Sequence, residues 1–205
     1  MQGKKEDKKT RRRREIVKAA WELFGEKGFD GTTIDDMTDR AGVSHGTFYL
    51  YFSSKEDILR YLGEEVQEEM LSGSRKIAAM EELSPQERLF RIVKYLLTVH
   101  EGQEFRMDLH DVIHRKIHDK LKDDAIELFL PLVTSLVEEG VKAGQMNISR
   151  PRETATYLVL LVAELEHSVD QWEGEEARKR ASEALGELLI RTIGGDEHVF
   201  QEDFF

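Results

Sequence analysis

Between Thr33 and Phe52 the sequence places two helix starts close together with a tight turn between them, and few folds accommodate that. Thr33-Ile34-Asp35-Asp36 opens the first helix. The Thr33 hydroxyl can cap it and Asp36 can reach back, as in a capping box, although Glu or Gln is the usual partner. That helix ends near Ala41, Gly42-Val43 turns the chain, and Ser44 caps a second short helix through about Phe52. Two short helices joined in this way form a helix-turn-helix. Ile34, Met37, Ala41, Val43, Phe48 and Phe52 can supply its small core. Ser44, His45, Gly46 and Thr47 keep the start of the second helix small and polar, as entry into a major groove about 12 Å wide requires. Gly46 in so short a helix costs roughly 1 kcal/mol against Ala, which a close backbone approach to DNA would explain. Tyr49 and Tyr51 offer hydroxyls to phosphate, and Lys55 lies at the next helix start, where phosphate is also favoured. A helical hairpin without a DNA role is the competing reading, with Tyr51 in the core.

The remainder of the chain reads as helix, with no convincing alternating strand. Only three prolines occur in 205 residues. A first helix is expected from about Thr10 to Lys27, with Ile16, Ala20, Leu23 and Phe24 on one face and Gly28 as its C-cap. A linker helix follows at 55–71, with Ile58, Leu59, Leu62, Val66 and Met70 inward. Ser72-Gly73-Ser74 is the expected soft joint unless the helix runs through it. Ser84-Pro85-Gln86-Glu87 is a strong helix start. Helices are expected at 85–101, 104–121, 123–143, 151–171 and 175–193. Pro131 is a candidate kink and the glycines at 140, 144, 194 and 195 act as stops. The fold class is therefore all-α. It comprises a basic flexible arm (1–9), a helix-turn-helix domain (10–54, motif 33–52), a larger helical domain (55–195) and a C-terminal tail (196–205).

Charge is divided along the chain. The net charge is −11, but residues 1–62 carry 13 basic and 11 acidic side chains while residues 63–205 carry 17 and 30. From Lys4 to Arg14 there are eight basic and two acidic residues. That distribution fits nucleic-acid contact at one end of an otherwise acidic chain, although a solvated tail has the same composition. The absence of cysteine excludes disulfides and thiolate metal sites and suits the reducing cytoplasm. The charged N-terminus shows no signal peptide. The longest apolar run, Tyr157 to Ala163, is too short for a bilayer, which takes about 20 helical residues. A cytoplasmic protein without a membrane role is expected.

His110, His114 and His118 recur every four residues on one helix face, a spacing that can hold a divalent metal. Asp111-x-x-His114 and Glu164-x-x-His167 add carboxylates, the second with the spacing of di-iron helical bundles. Exposed surface histidines are the simpler reading, since Arg115, Lys116, Asp119 and Lys120 surround them. A metal-sensing regulator using His110, His114 and His118 is one alternative. A helical-bundle di-iron enzyme is another, but it leaves residues 33–52 unexplained and lacks two inward glutamates. A DNA-binding scaffold without a ligand is a third. No nucleophile–base pair, P-loop or dinucleotide fingerprint is present, so no enzyme and no required cofactor are expected.

Three segments together resemble the N-terminal domain of TetR-family regulators. They are Gly28-Phe29-Asp30-Gly31-Thr32-Thr33-Ile34, Ala41-Gly42-Val43-Ser44-His45-Gly46-Thr47-Phe48-Tyr49-Leu50-Tyr51-Phe52 and Ser54-Lys55-Glu56-Asp57-Ile58-Leu59. The likeness covers about residues 12–62. It implies a homodimeric, sequence-specific transcriptional regulator, commonly a repressor released from its double-stranded operator by a small-molecule effector. By motif position, Thr33 contacts phosphate, Ser44, His45 and Thr47 face bases or phosphates, and Tyr49 and Lys55 hold the backbone. His45 stands where many relatives carry Lys or Arg. Beyond residue 62 the likeness is general. It places dimerisation on helices 151–171 and 175–193 and an effector pocket between about 85 and 170, with Phe105, Phe129, His110, His114, Glu164 and His167 as candidates.

Overall fold

The computed structural model describes residues 8–98, 115–168 and 175–194. It does not describe the side chains of 115–122, 165–168, 175, 178 and 182. The described residues contain eight helices: α1 (Lys8–Gly31), α2 (Ile34–Ala41), α3 (His45–Tyr49), α4 (Lys55–Ala78), α5 (Pro85–Thr98), α6 (Arg115–Lys142), α7 (Pro151–Ser168) and α8 (Glu175–Ile193). The all-α expectation holds. Residues 8–66 belong to one compact unit, and residues 67–98, 122–168 and 175–194 to another.

The first unit closes around a single apolar cluster. α1 contributes Ile16, Val17, Ala20, Leu23, Phe24 and, in its last turn, Phe29, α2 Met37, the α3 region Phe48 and Phe52, and α4 Ile58, Leu59 and Leu62. The α1 set follows the helical period, so one stripe meets the core. The helical run of α1 breaks at Gly28, whose φ of 74° suits glycine and turns the chain toward Thr32. Thr32 is buried and donates its hydroxyl to the Gly28 carbonyl at 2.7 Å and the Leu23 carbonyl at 3.1 Å. The end of α1 is thereby satisfied internally. α1 is already helical at Lys8, two residues inside the expected arm, because Lys and Arg are good helix formers.

In the second unit, α4 runs on to Ala78 rather than ending at 71. The small residues 72–74 are not a joint. A Cβ at Gly73 would overlap the Tyr95 ring and hydroxyl, and Ser74 is fully buried. They make room for α5 to approach closely. Arg88 of α5 is buried, donates to the Ala78 carbonyl at 2.9 Å and pairs with Glu139 of α6. The C-terminal end of α4 therefore meets a positive charge, the favourable sign for a helix C-terminus. The two helices expected at 104–121 and 123–143 are, from residue 115 on, one helix, α6. Nothing between Arg115 and Leu130 is a Gly or Pro to stop it. α6 passes through Pro131, which is exposed, so the carbonyl that loses its partner lies on the solvent side. Gly140 is buried because Met146 folds over it; a Cβ there would come within 2.7 Å of the Met146 thioether. Buried Phe129, Val133, Leu136 and Val137 of α6, Leu158, Val159 and Val162 of α7, and Leu185, Leu189 and Ile193 of α8 line this unit's interior. Gln86 donates to the carbonyls of Gln145 and Ile193, at 2.8 and 2.9 Å.

Candidate nucleic-acid interface

The first of the two short helices is capped as its sequence requires. Thr33 Oγ1 accepts from the Asp36 N–H at 3.2 Å, and Asp36 Oδ2 accepts from the Thr33 N–H at 3.0 Å, which completes the box. Asp36 also pairs with Lys27 at 2.7 Å. The Lys27 ammonium, then the Thr33 N–H and hydroxyl, hold the Asp36 carboxyl far below the usual carboxylate range. Gly42 ends α2 in the left-handed region, φ 62°, and its N–H and that of Val43 return to the Asp39 and Thr38 carbonyls. Outside this hairpin, Arg40 forks onto Glu26 at 2.7 and 2.9 Å and reaches Glu22 at 3.4 Å, clamping α2 to α1.

The turn delivers α3 with its first residues outward. Ser44 caps α3, accepting from the Thr47 N–H at 3.1 Å, and its hydroxyl lies 2.9 Å from that of Thr47. Ser44, His45 and Gly46 are exposed, and Thr47 is half-buried. Phe48 on the opposite side is fully buried and Phe52 nearly so, which fixes the rotation of the short helix. A Cβ at Gly46 would meet the Ser44 hydroxyl at 3.9 Å, an ordinary contact, so nothing within the chain demands glycine there. Tyr49 is 56% exposed and lies edge-on to Phe48. Residues 44–52 contain neither Lys nor Arg, so this surface presents hydroxyls, one imidazole and backbone.

Ser44, His45, Gly46, Thr47 and Tyr49 thus lie at the start of α3 and along it, while Thr33 stands at the opposite end of α2 from the turn, as its N-cap. Two other candidates stand differently. Tyr51, proposed as a phosphate contact, has its ring half-buried against the apolar cluster, because Phe48 and Phe52 draw that side of the chain inward. Lys55, proposed as a backbone clamp on DNA, donates instead to the Phe29 carbonyl at 2.7 Å and the Thr32 carbonyl at 3.2 Å. Its ammonium lies 4.4 Å from the centre of the Phe29 ring. Those carbonyls close the α1 turn and need donors, so Lys55 ties the start of α4 to it.

Three features escaped sequence reasoning because they depend on how the chain folds back on itself rather than on the apolar pattern. Arg13 stacks over the Tyr61 ring at 3.8 Å and the Phe52 ring at 5.4 Å. Thr32 anchors the end of α1. Asp35 Oδ1 lies 2.6 Å from His45 Nε2 across the turn.

Of the effector and metal candidates, Phe129 is buried in α6 and Glu164 is exposed on α7. Phe105, His110 and His114 lie outside the described residues, as do the side chains of His118 and His167. No helix among the described residues is long and apolar enough to cross a membrane.

Residues 16–62 match the family described as bacterial regulatory proteins, tetR family. Over 49 residues the chain is 47% identical to the uncharacterised HTH-type transcriptional regulator YvdT of Bacillus subtilis, which is 24% of this chain and 25% of that one. A transcriptional regulator of the TetR/AcrR family from Thermobifida fusca superposes with a TM-score of 0.65 at 26% identity, over 88% of this chain and 97% of that one. The regulator FadR of Bacillus subtilis, solved in complex with stearoyl-CoA, superposes with a TM-score of 0.64 at 20% identity, over 89% and 99%. The helix-turn-helix geometry and these likenesses agree: residues 16–62 match the DNA-binding segment of the tetR family, and over most of its length the chain is similar to a TetR/AcrR-family transcriptional regulator.

Proposed function

We propose that the chain is a homodimeric repressor that leaves its operator when a small molecule binds the larger helical unit. The observation that carries the DNA half of this reading is α3 itself. Its first residues are polar and exposed, and its rotation is fixed from below by Phe48 and Phe52. Ser44, His45, Gly46 and Thr47 enter the major groove, Thr33 and Tyr49 hold phosphates, and the residues ahead of α1 add charge.

Dimerisation is supported by the last two helices. On α7, Tyr157 is 72% exposed, and Leu160 and Leu161 are also on the surface; on α8, Leu188 is 50% exposed. Apolar side chains at those positions suit a four-helix contact with a second copy. Two copies would place their α3 helices one DNA turn apart, about 34–36 Å. An effector that binds a different spacing more tightly shifts the population off DNA, by no more than its differential affinity. Because FadR binds stearoyl-CoA in a similar fold, a long-chain acyl-CoA is the first effector to try.

The test is fluorescence anisotropy of the full chain with DNA from upstream of its own gene against scrambled DNA, followed by titration with stearoyl-CoA. Preference for the upstream DNA, reversed by the ligand, supports the reading. Equal binding of both DNAs rejects an operator there. Preference that stearoyl-CoA leaves untouched rejects that effector class.

A further inference from the structure

The face of α3 that points straight away from the core is apolar. Leu50, the C-cap of α3, keeps a helical backbone (φ −72°, ψ −19°), so the helical spacing holds through it. With 3.6 residues per turn, Gly46 and Leu50 each lie about 160° round the helix from Phe48, which is fully buried. Leu50 is 78% exposed, more than any other large apolar side chain among the described residues, and it has no place in the apolar cluster of the first unit. A Cβ at Gly46 would meet only the Ser44 hydroxyl, at 3.9 Å, so the Leu50 side chain leaves the space above the glycine open. A lone exposed leucine is ordinary on a protein surface. This one stands on the helix that faces DNA, one turn from a glycine that nothing within the chain requires.

Resting on the DNA-binding reading, we propose that Leu50 reads thymine. The C5-methyl group of one thymine in each half-site enters the space above Gly46 and packs on the Leu50 side chain. In the major groove the base edges present hydrogen-bond donors, acceptors and one apolar group, the thymine methyl. Leucine can neither donate nor accept. Pressed against a G·C pair it would cover polar edges without pairing them, which is unfavourable. Against the methyl it buries apolar surface on both sides. The bare backbone of Gly46 lets the base edge come within reach. Leu50 is then a specificity-determining residue, and it prefers thymine on one defined strand of the half-site over adenine, guanine or cytosine there.

The full chain first selects duplexes from a randomised pool of about 30 base pairs, near three helical turns. In one half-site of the selected duplex each thymine in turn is then replaced by deoxyuridine, which removes the methyl and keeps the pairing edge. Anisotropy is read with the wild type, Leu50→Ala and Leu50→Met, at one salt concentration low enough for each to bind. For the wild type, deoxyuridine at one position is expected to weaken binding roughly fourfold, the effect of burying one methyl-sized group. Leu50→Ala should bind the thymine and deoxyuridine duplexes alike, and Leu50→Met, still long and apolar, should keep most of the discrimination. Equal affinity of Leu50→Ala and wild type for scrambled DNA shows that the variant is folded. Full discrimination in Leu50→Ala at the sensitive position overturns the proposal, because another side chain then holds the methyl. Loss of discrimination in Leu50→Met as complete as in Leu50→Ala overturns it too, as does a Leu50→Ala chain that binds no DNA at any salt, since one methyl contact cannot account for that. A wild type that selects no sequence overturns the DNA-binding reading together with the thymine contact. Selection of a sequence in which no deoxyuridine position matters overturns the thymine contact alone.

Discussion

Gly46 and Asp36 carry the predictions that belong to single residues. Gly46→Ala meets no obstruction within the chain, since the new methyl would lie 3.9 Å from the Ser44 hydroxyl. Urea unfolding should show stability unchanged or raised by up to about 1 kcal/mol, the helix propensity difference. DNA affinity should fall, because the methyl occupies space the duplex needs. A loss of stability with affinity intact would place the need for glycine in the fold rather than at the DNA. At Asp36 the pairing to Lys27 and Thr33 holds the folded carboxyl below its unfolded value, which lies near 3.9. The stabilisation is therefore fully present above about pH 4 and is lost as pH falls through the folded value. The hydrogen bonds from Arg40 to Glu26 and from Ser53 to Asp57 act in the same direction. Asp36→Asn should lower stability at neutral pH and make the acid-side decline shallower. Identical pH profiles for the two proteins would show that the box contributes nothing to acid sensitivity.

Among the helices, α4 shows how a residue type can mislead. Ser72-Gly73-Ser74 has the composition of a joint, yet the helix continues through it because Tyr95 of α5 lies directly over Gly73. A small side chain there serves close packing, which no local pattern announces. Gly73→Ala would raise helix propensity by about 1 kcal/mol yet overpack against an aromatic ring, a change that typically costs about 1–3 kcal/mol. A net destabilisation is expected, and Tyr95→Ala in the same chain should relieve part of it. A double-mutant cycle measures this. Strictly additive effects would mean that the two residues do not meet. Sequence signals were reliable where the physics is local: the capping boxes at Thr33 and Ser84, the left-handed stops at Gly28 and Gly42, and the apolar stripe of α1. They failed between 115 and 130, where no Gly or Pro marks a boundary and α6 runs on from Arg115.

For the molecule as a whole the question is what covers Tyr157 and Leu188. Unpartnered, they would leave a bare apolar surface on α7 and α8. Under the dimer reading, Tyr157→Glu with Leu188→Glu places charges into that contact. Sedimentation should then show monomers, and operator affinity should fall while helicity is kept. A double variant that stays dimeric would move the interface elsewhere. Under the same reading operator binding would depend on the dimer, because two half-sites would be engaged at once and each copy would raise the effective concentration of the other at DNA.

The sequence by itself determined the all-helical class, the caps and turn of the helix-turn-helix, and most of the apolar residues of α1 to α4 that face inward, Val17 and Phe29 being additions of the structure. Those features follow from hydrogen-bonding needs and apolar spacing within a few residues. Only the tertiary structure decided the roles of residues whose partners lie far along the chain. Lys55 was drawn to the carbonyls of Phe29 and Thr32, Tyr51 settled against the core, Arg13 found the faces of Phe52 and Tyr61, and Asp35 was brought to His45. A long or charged side chain has many partners within reach in sequence terms, and the fold chooses among them by which acceptors it leaves unpaired and which surfaces it brings together.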